Sequence, residues 1–402
     1  MTRRVPGVLA VLSVGALAAS IIVGAGRLPA AGRSAVVAAE PLPRSLSAPS
    51  LVCPGPETLL VPDGGEAVAP GAAVQLRALI GASSGVAKAK LKLLGDDVAE
   101  TTASDGGGAS AAGRTLTLKG QAQGPAVGTL AATALGPGVF KLNQVTPDPA
   151  GREQAPALAA VQSTLARTGS LRGLTATACS SARPDSWLVG GSTRAGERLR
   201  LLLANPASAP AVVDVDVHGP DGRVSAPSGD GVVVPAGGEV PIYIDALAPG
   251  LDRVAVHVTT RSGRVRATLH DSLLRGVTPG GADDVPVAAA AARRQVVPGV
   301  SLVNGYSTTA ADPTAAGSTS VRVAVPGSEE AVVRVSLLDS DGPVGLPRTS
   351  VVTVPGGGVA DVPISGVASG VYTAVVDADV PVIAGAQVGR VGAGHRGSPD
   401  GG

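Results

Sequence analysis

Aromatic side chains are almost missing from this chain. Five serve 402 residues: Phe140, Trp187, Tyr243, Tyr306 and Tyr372. A sugar packs its C–H face on a flat ring, so a broad carbohydrate-stacking surface is excluded, and any core must be built from Val, Leu, Ile and Ala. Charge is sparse as well. Only 16% of residues are charged, against roughly 25% in an ordinary soluble domain. The 32 basic and 31 acidic residues nearly cancel, which leaves no electrostatic footprint for nucleic acid. Cysteine is limited to Cys53 and Cys179, and histidine to His218, His257, His270 and His395. Neither H-E-x-x-H nor C-x-x-C occurs, which removes the commonest zinc and dithiol signatures.

Glycine (56) and proline (33) are abundant instead, and valine-rich runs lie between them. Strand-like cores begin near Leu199, Val212, Val232, Val240, Val254 and Val265, and again near Val321, Val332, Val351, Val359, Val371 and Val382. The offset stays near ~120 residues, about one domain length. Alternation is plain in Val213-Asp214-Val215-Asp216-Val217, with valines on one face and carboxylates on the other. Matching turn signals recur at Asp221-Gly222 and Asp341-Gly342, and at Gly237-Gly238 and Gly357-Gly358. The predicted fold is all-β: tandem immunoglobulin-like β-sandwich modules behind an N-terminal transmembrane or signal helix.

Residues 8–26 are uncharged and apolar, preceded by Arg3 and Arg4. Nineteen helical residues span ~28 Å, close to a ~30 Å hydrocarbon core. Two readings stay open: an uncleaved anchor, or a long signal peptide cut after Val37-Ala38-Ala39. Either places the body outside the cytoplasm. The expected order is a transmembrane or signal segment at 1–26, a linker at 27–50 and a degenerate β module at 51–180. A β-sandwich at 181–290 and its repeat at 291–390 follow, then a disordered tail at 391–402. In the first module, strands are expected at 58–61, 74–79, 89–94, 115–118, 130–135 and 174–177. Residues 157–167 read as a short helix or as an alanine-rich strand.

Two cysteines fit one disulfide in an oxidising compartment, the alternative being two buried thiols. A Cys53–Cys179 bond would close a loop of 126 residues, worth roughly 4–5 kcal/mol by chain entropy.

The remaining motifs read more simply as structure than as chemistry. Asp214, Asp216 and His218 form a row like a metal-ligand set, but also a solvated strand face. His257 and His270-Asp271 lie on strands that can be neighbours, which offers a hydrolase reading with Ser83 as nucleophile. Ser83 sits in Gly81-Ala82-Ser83-Ser84-Gly85, a nucleophile-elbow pattern. That elbow needs a helix after the serine, and the alternating residues 86–94 predict a strand, so a hairpin loop is expected. Asp339-Ser340-Asp341-Gly342 opens like a calcium loop, yet Ser350 stands where the closing glutamate is required. Residues 346–350 resemble a sorting signal without its apolar tail. Trp187 fits a core position or a contact between the first and second modules. No catalytic, metal or cofactor-binding residue is assigned.

The run Trp187-Leu188-Val189-Gly190-Gly191 after Cys179, the segment Leu203-Ala204-Asn205-Pro206, and Arg294-Gln295-Val296-Val297-Pro298-Gly299 resemble an uncharacterised family. Its members are membrane-anchored or secreted proteins of high-GC Gram-positive bacteria, and the similarity covers most of the chain after residue 50. The resemblance implies an envelope location and no activity. The expectation is a non-enzymatic, extracytoplasmic cell-envelope protein that acts as a binding or scaffolding surface for an unknown envelope protein or glycan. It would touch the membrane through its N-terminal segment only. An accessory role in cell-wall glycan assembly is the alternative, and a hydrolase stands third.

Overall fold

Period-two alternation with turn residues between runs makes strands, and strands are nearly all that form. A computed structural model describes residues 50–60, 66–68, 72–81, 87–93, 101–103, 110–111, 116–120, 126–132, 138–145, 157–276, 278–302, 319–346 and 350–389. All of them belong to one compact unit, Ala48–Gly402. The only helical pieces among the described residues are single turns at Pro227–Gly229 and Ile244–Leu247. None is long and apolar enough to cross a membrane; the apolar stretch 8–26 lies outside the described residues.

The first twelve strands are β1 (Ser50–Cys53), β2 (Thr58–Leu60), β3 (Glu66–Val68), β4 (Ala73–Gly81), β5 (Ala87–Leu93), β6 (Thr101–Ala103), β7 (Ser110–Ala111), β8 (Leu116–Gly120), β9 (Ala126–Ala132), β10 (Gly138–Val145), β11 (Ala157–Ala166) and β12 (Gly173–Ala178). They form two five-stranded sheets, β1-β10-β5-β8-β7 and β12-β11-β4-β9-β6, and a separate β2-β3 pair. Residues 157–166 take the strand alternative. β11 pairs with β4 on one side and β12 on the other, so both rows of its backbone groups are satisfied.

Nine strands follow: β13 (Asp185–Val189), β14 (Glu197–Ala204), β15 (Ala211–Gly219), β16 (Gly222–Val224), β17 (Val232–Val234), β18 (Glu239–Tyr243), β19 (Ala255–Ser262), β20 (Arg266–Arg275) and β21 (Thr278–Val285). One sheet runs β13-β19-β15-β16, with β17 also on β15; the other runs β18-β14-β20-β21. Between them lies one apolar cluster. Leu199, Leu201, Leu203, Ala267 and Leu269 come from one sheet, and Leu188, Val213, Val215, Val217, Val256 and Val258 from the other. Each larger side chain is worth roughly 1.5–3 kcal/mol when buried, so many aliphatics replace the missing rings.

The last seven are β22 (Ala292–Leu302), β23 (Thr319–Ala324), β24 (Ala331–Leu338), β25 (Pro343–Val344), β26 (Val351–Val354), β27 (Val359–Pro363) and β28 (Gly370–Val388). They surround a second, separate apolar cluster that includes Val321, Val323, Val333, Val335, Val376 and Val382. Geometry repeats at the offset seen in the sequence. Ala204 pairs with Glu239 and Ala324 with Val359; Asn205 N donates to Gly238 O at 2.9 Å and Val325 N to Gly358 O at 3.0 Å.

One difference separates the two sets. Ser262 ends β19 and Gly263 turns in the left-handed region (φ 77°) before β20 begins. Where the sequence leads one to expect two strands near Val371 and Val382, the chain runs on as the single 19-residue β28. No glycine interrupts Asp377-Ala378-Asp379-Val380-Pro381, so nothing there favours a tight turn. The strand instead crosses from β22 and β24 to β23, and Asp379 Oδ1 accepts from Val332 N (2.9 Å) near the crossing.

Candidate functional site

The ionisable side chains gather at two seams. The first is the outer face of β18-β14-β20-β21. Because Leu199, Leu201 and Leu203 point into the core, Arg200 falls on the opposite side; Arg266, Thr268, His270 and Ser272 do the same on β20. Register sets Arg200 opposite His270, and His270 opposite Asp284. Every one of these polar residues is buried, His270 completely.

The cover is the N-terminal edge of the described chain. Cys53 and Cys179 are disulfide-bonded, and Val52 and Ser180 exchange backbone hydrogen bonds at 2.8 and 3.1 Å. Gly55 N donates to Gln162 Oε1 at 3.0 Å. Arg266 donates to Ala178 O (3.1 Å) and Ser180 Oγ (3.3 Å), and also to Thr268 Oγ1. Burial pulls its guanidinium down to about 10, with the Asp284 charge opposing.

His270 Nδ1–H donates to Asp284 Oδ1 at 2.6 Å. Its Nε2 and both Glu57 carboxylate oxygens are buried with no partner in hydrogen-bonding geometry. Burial raises the Glu57 carboxyl; His270, the Ser272 hydroxyl and Arg200 lie near enough to oppose that, while Asp284 reinforces it.

The second seam is the outer face of β13-β19-β15, against the last strands. Trp187 is opposite His257, and His257 is opposite Asp216. The indole stacks on the His257 ring at 4.2 Å and 11°, and meets the His218 ring at 4.9 Å and 49°. His257 Nε2 bonds Asp185 Oδ2 at 2.9 Å. His218 Nδ1–H donates to Gly357 O at 2.8 Å, in the turn 355–358. Burial holds the His218 imidazole below its ordinary value; the Gly357 carbonyl opposes, the His257 charge adds, and Asp216 and Arg223 act in opposite senses.

Trp187, Val189 and Ala255 pack with Ala324, Val359 and Ile383. Arg322 crosses the same seam. Its Nε and Nη2 hold Asp361 at 2.8 and 3.0 Å, and its Nη1 donates to Gly191 O and to Val254 O (3.5 Å). The approach is close: a Cβ on Gly385 would lie 2.9 Å from Val189 O.

Several expectations are corrected here. Trp187 takes the core position, buried in the seam before the last strands, and not the contact between the first two modules. His257 and His270 are not neighbours, because β19 and β20 belong to different sheets; their imidazoles lie on opposite sides of one apolar core. His270 pairs with Asp284, not Asp271. Asp271 falls in the row of Ala267 and Leu269, where burial pushes its carboxyl up to about 7; Glu197, Glu57 and Asp283 add and Arg322 opposes.

The row Asp214, Asp216, His218 exists, but it is not simply a solvated face. Asp214 accepts from Arg261 Nε (2.7 Å) and Gly231 N (2.8 Å), Asp216 pairs with Arg223, and His218 is buried. Among the described residues no cluster of three such groups is placed to hold a metal. Ser83 lies outside the described residues. Its flanks, β4 and β5, are strands of two different sheets and do not pair as a hairpin. Asp339 Oδ1 caps its own turn, accepting from Asp341 N and Gly342 N, where β24 meets β25.

Asp284, Glu57, Arg200, Asp185, Arg322 and Asp361 carry the seams, and the sequence alone gives no sign of them. Their pairing depends on register and sheet membership, which alternation does not encode.

The arrangement defines an all-β protein whose polar residues join packed sheets. The chain belongs to a family of unknown function (DUF5719), whose model matches residues 141–399. The match starts well beyond residue 50, so Cys179, Arg200, His270 and Asp284 fall inside it and Cys53 and Glu57 outside. No curated protein matches the chain.

Proposed function

We propose that this is a non-enzymatic, extracytoplasmic cell-envelope protein. In this reading tandem immunoglobulin-like sandwiches, held by an N-terminal anchor or released after signal cleavage, present a binding or scaffolding surface to another envelope protein. One observation carries the reading: the groups that look catalytic are engaged in holding sheets together. His270 is sealed with Asp284, His218 is spent on Gly357 O, and His257 is stacked on Trp187 and paired with Asp185. The Cys53–Cys179 disulfide supports an oxidising compartment.

Glycan assembly draws less support. Trp187 and Tyr372 are buried and Tyr243 is half-buried, which leaves little ring surface for a sugar among the side chains described. Thiol labelling and protease shaving of intact cells test the location. The expected result is cysteines unreactive until reduction and a body digestible from outside. Free thiols and protection until lysis would defeat the reading. Capture from envelope extracts by the tagged chain then tests whether the retained partner is a protein.

A further inference from the structure

Lysine occurs at five positions only, Lys88, Lys90, Lys92, Lys119 and Lys141; the other 27 of the 32 basic residues are arginine. Lys88, Lys90 and Lys92 alternate along β5, which places them on one face. Lys119 of β8 is opposite Lys88, and Lys141 of β10 is opposite Lys90. Directly opposed residues share a face, so the backbone register sets every lysine of the chain on one face of one sheet. The opposite face takes Ala89 and Leu91, with Leu118 and Phe140 across from them. No acidic residue occurs in any of the five strands.

Two pairs of like charge directly opposite one another destabilise a sheet unless counter-charge comes from elsewhere. Lysine is also the residue for diffuse anions: a hydrated point charge on a flexible stem, unlike the forked guanidinium. Elsewhere this chain uses arginine for its fixed ion pairs, as at Arg322–Asp361. Position selects the anion. β1 is the edge strand of this sheet and opens at Ser50, opposite Lys141. Twenty-three residues, 27–49, separate it from the apolar stretch 8–26. A random coil of that many residues spans about 25–30 Å root-mean-square. Val139, opposite Lys92, packs with Val52 and Ala204, so the face meets β14 at that end.

We propose that Lys88, Lys90, Lys119 and Lys141 form a docking face for the anionic headgroups of the bilayer that holds the N-terminal segment. This rests on the anchored form of the reading above, and it gives the protein a second, electrostatic membrane contact beyond that segment.

Because no lysine lies elsewhere, amine acylation reads this face alone, apart from the chain's own N-terminus. The full chain is reconstituted into phosphatidylcholine vesicles, with and without phosphatidylglycerol, and treated with a membrane-impermeant acylating reagent. Rates at each lysine come from mass spectrometry. The four positions should react about fivefold more slowly on the anionic vesicles. The difference should vanish at about 1 M salt, where the Debye length falls to ~3 Å. Equal rates on the two vesicles, or protection that survives salt, overturn the proposal. So does protection by added soluble polyphosphate but not by anionic lipid, which would assign the face to a soluble polyanion. Alkaline washing is scored separately. A chain stripped from neutral vesicles refutes the anchor, whereas a retained chain with equal rates refutes only the lysine face.

Discussion

Replacing Asp271 by Asn should stabilise the protein, and only at neutral to alkaline pH. Asp271 lies between Leu199 of β14 and Asp283 of β21 in the ladder, on the core side of β20. Burial, reinforced by nearby carboxylates, lifts its carboxyl from 3.8 to about 7. The folded chain therefore keeps a proton that the unfolded chain releases above about pH 4. Stability falls as pH rises from there through 7, then stays level with the full penalty in place. Three pH units correspond to about 4 kcal/mol; the residue is only half-buried, so solvent screening and relaxation return part of it. Asn keeps the shape and cannot ionise. Urea unfolding at pH 4, 6 and 8, without reductant, should show no gain at pH 4 and roughly 2–4 kcal/mol at pH 8. A gain independent of pH, or none at pH 8, would refute the argument that a half-buried carboxylate is forced to ionise at this position.

Arg322→Met leaves the Asp361 carboxylate buried without its partner and should cost about 3–5 kcal/mol in urea unfolding, with most of the loss recovered in Arg322→Met/Asp361→Leu. A cost under about 1 kcal/mol would show that the seam does not depend on this pair. Cys53→Ser with Cys179→Ser should cost roughly 4–5 kcal/mol and speed proteolysis near Glu57, read by denaturation and limited digestion. An unchanged cleavage rate would detach the disulfide from the first seam. His218 is held neutral by burial, so its contribution is lost as pH falls through 6.5, where the unfolded imidazole takes up a proton. His218→Gln should flatten the stability profile between pH 6.5 and 5; an unchanged slope would count against the buried assignment.

Much of the β architecture was legible because alternation and turn chemistry are local. The valines of 213–217 are buried, and the turns at Gly222 and Gly342 lie where the sequence marks them. The disulfide followed from having two cysteines and an apolar stretch at 8–26. Sheet membership was not legible. Ser262-Gly263 reads equally as a hairpin or as a step between sheets, and the step puts His257 and His270 on opposite sides of the core. The partners of His270 were hidden for a related reason. Asp284 reaches it by cross-strand register, and Glu57 comes near enough to feel its charge from more than two hundred residues away in sequence. Trp187 was visible as an anomaly in a ring-poor chain, yet its true neighbours, Ile383 and Val359, belong to strands that no local pattern joins to it.

Whether the catalytic-looking groups do structural work decides between the scaffold and the hydrolase. The most direct measurement is complementation of cells lacking the protein by a Ser83→Ala/His257→Ala variant, with folding checked by its melting profile. We predict a wild-type phenotype at a slightly lower Tm. Loss of the phenotype in a variant still folded at the growth temperature would contradict this and restore the hydrolase reading.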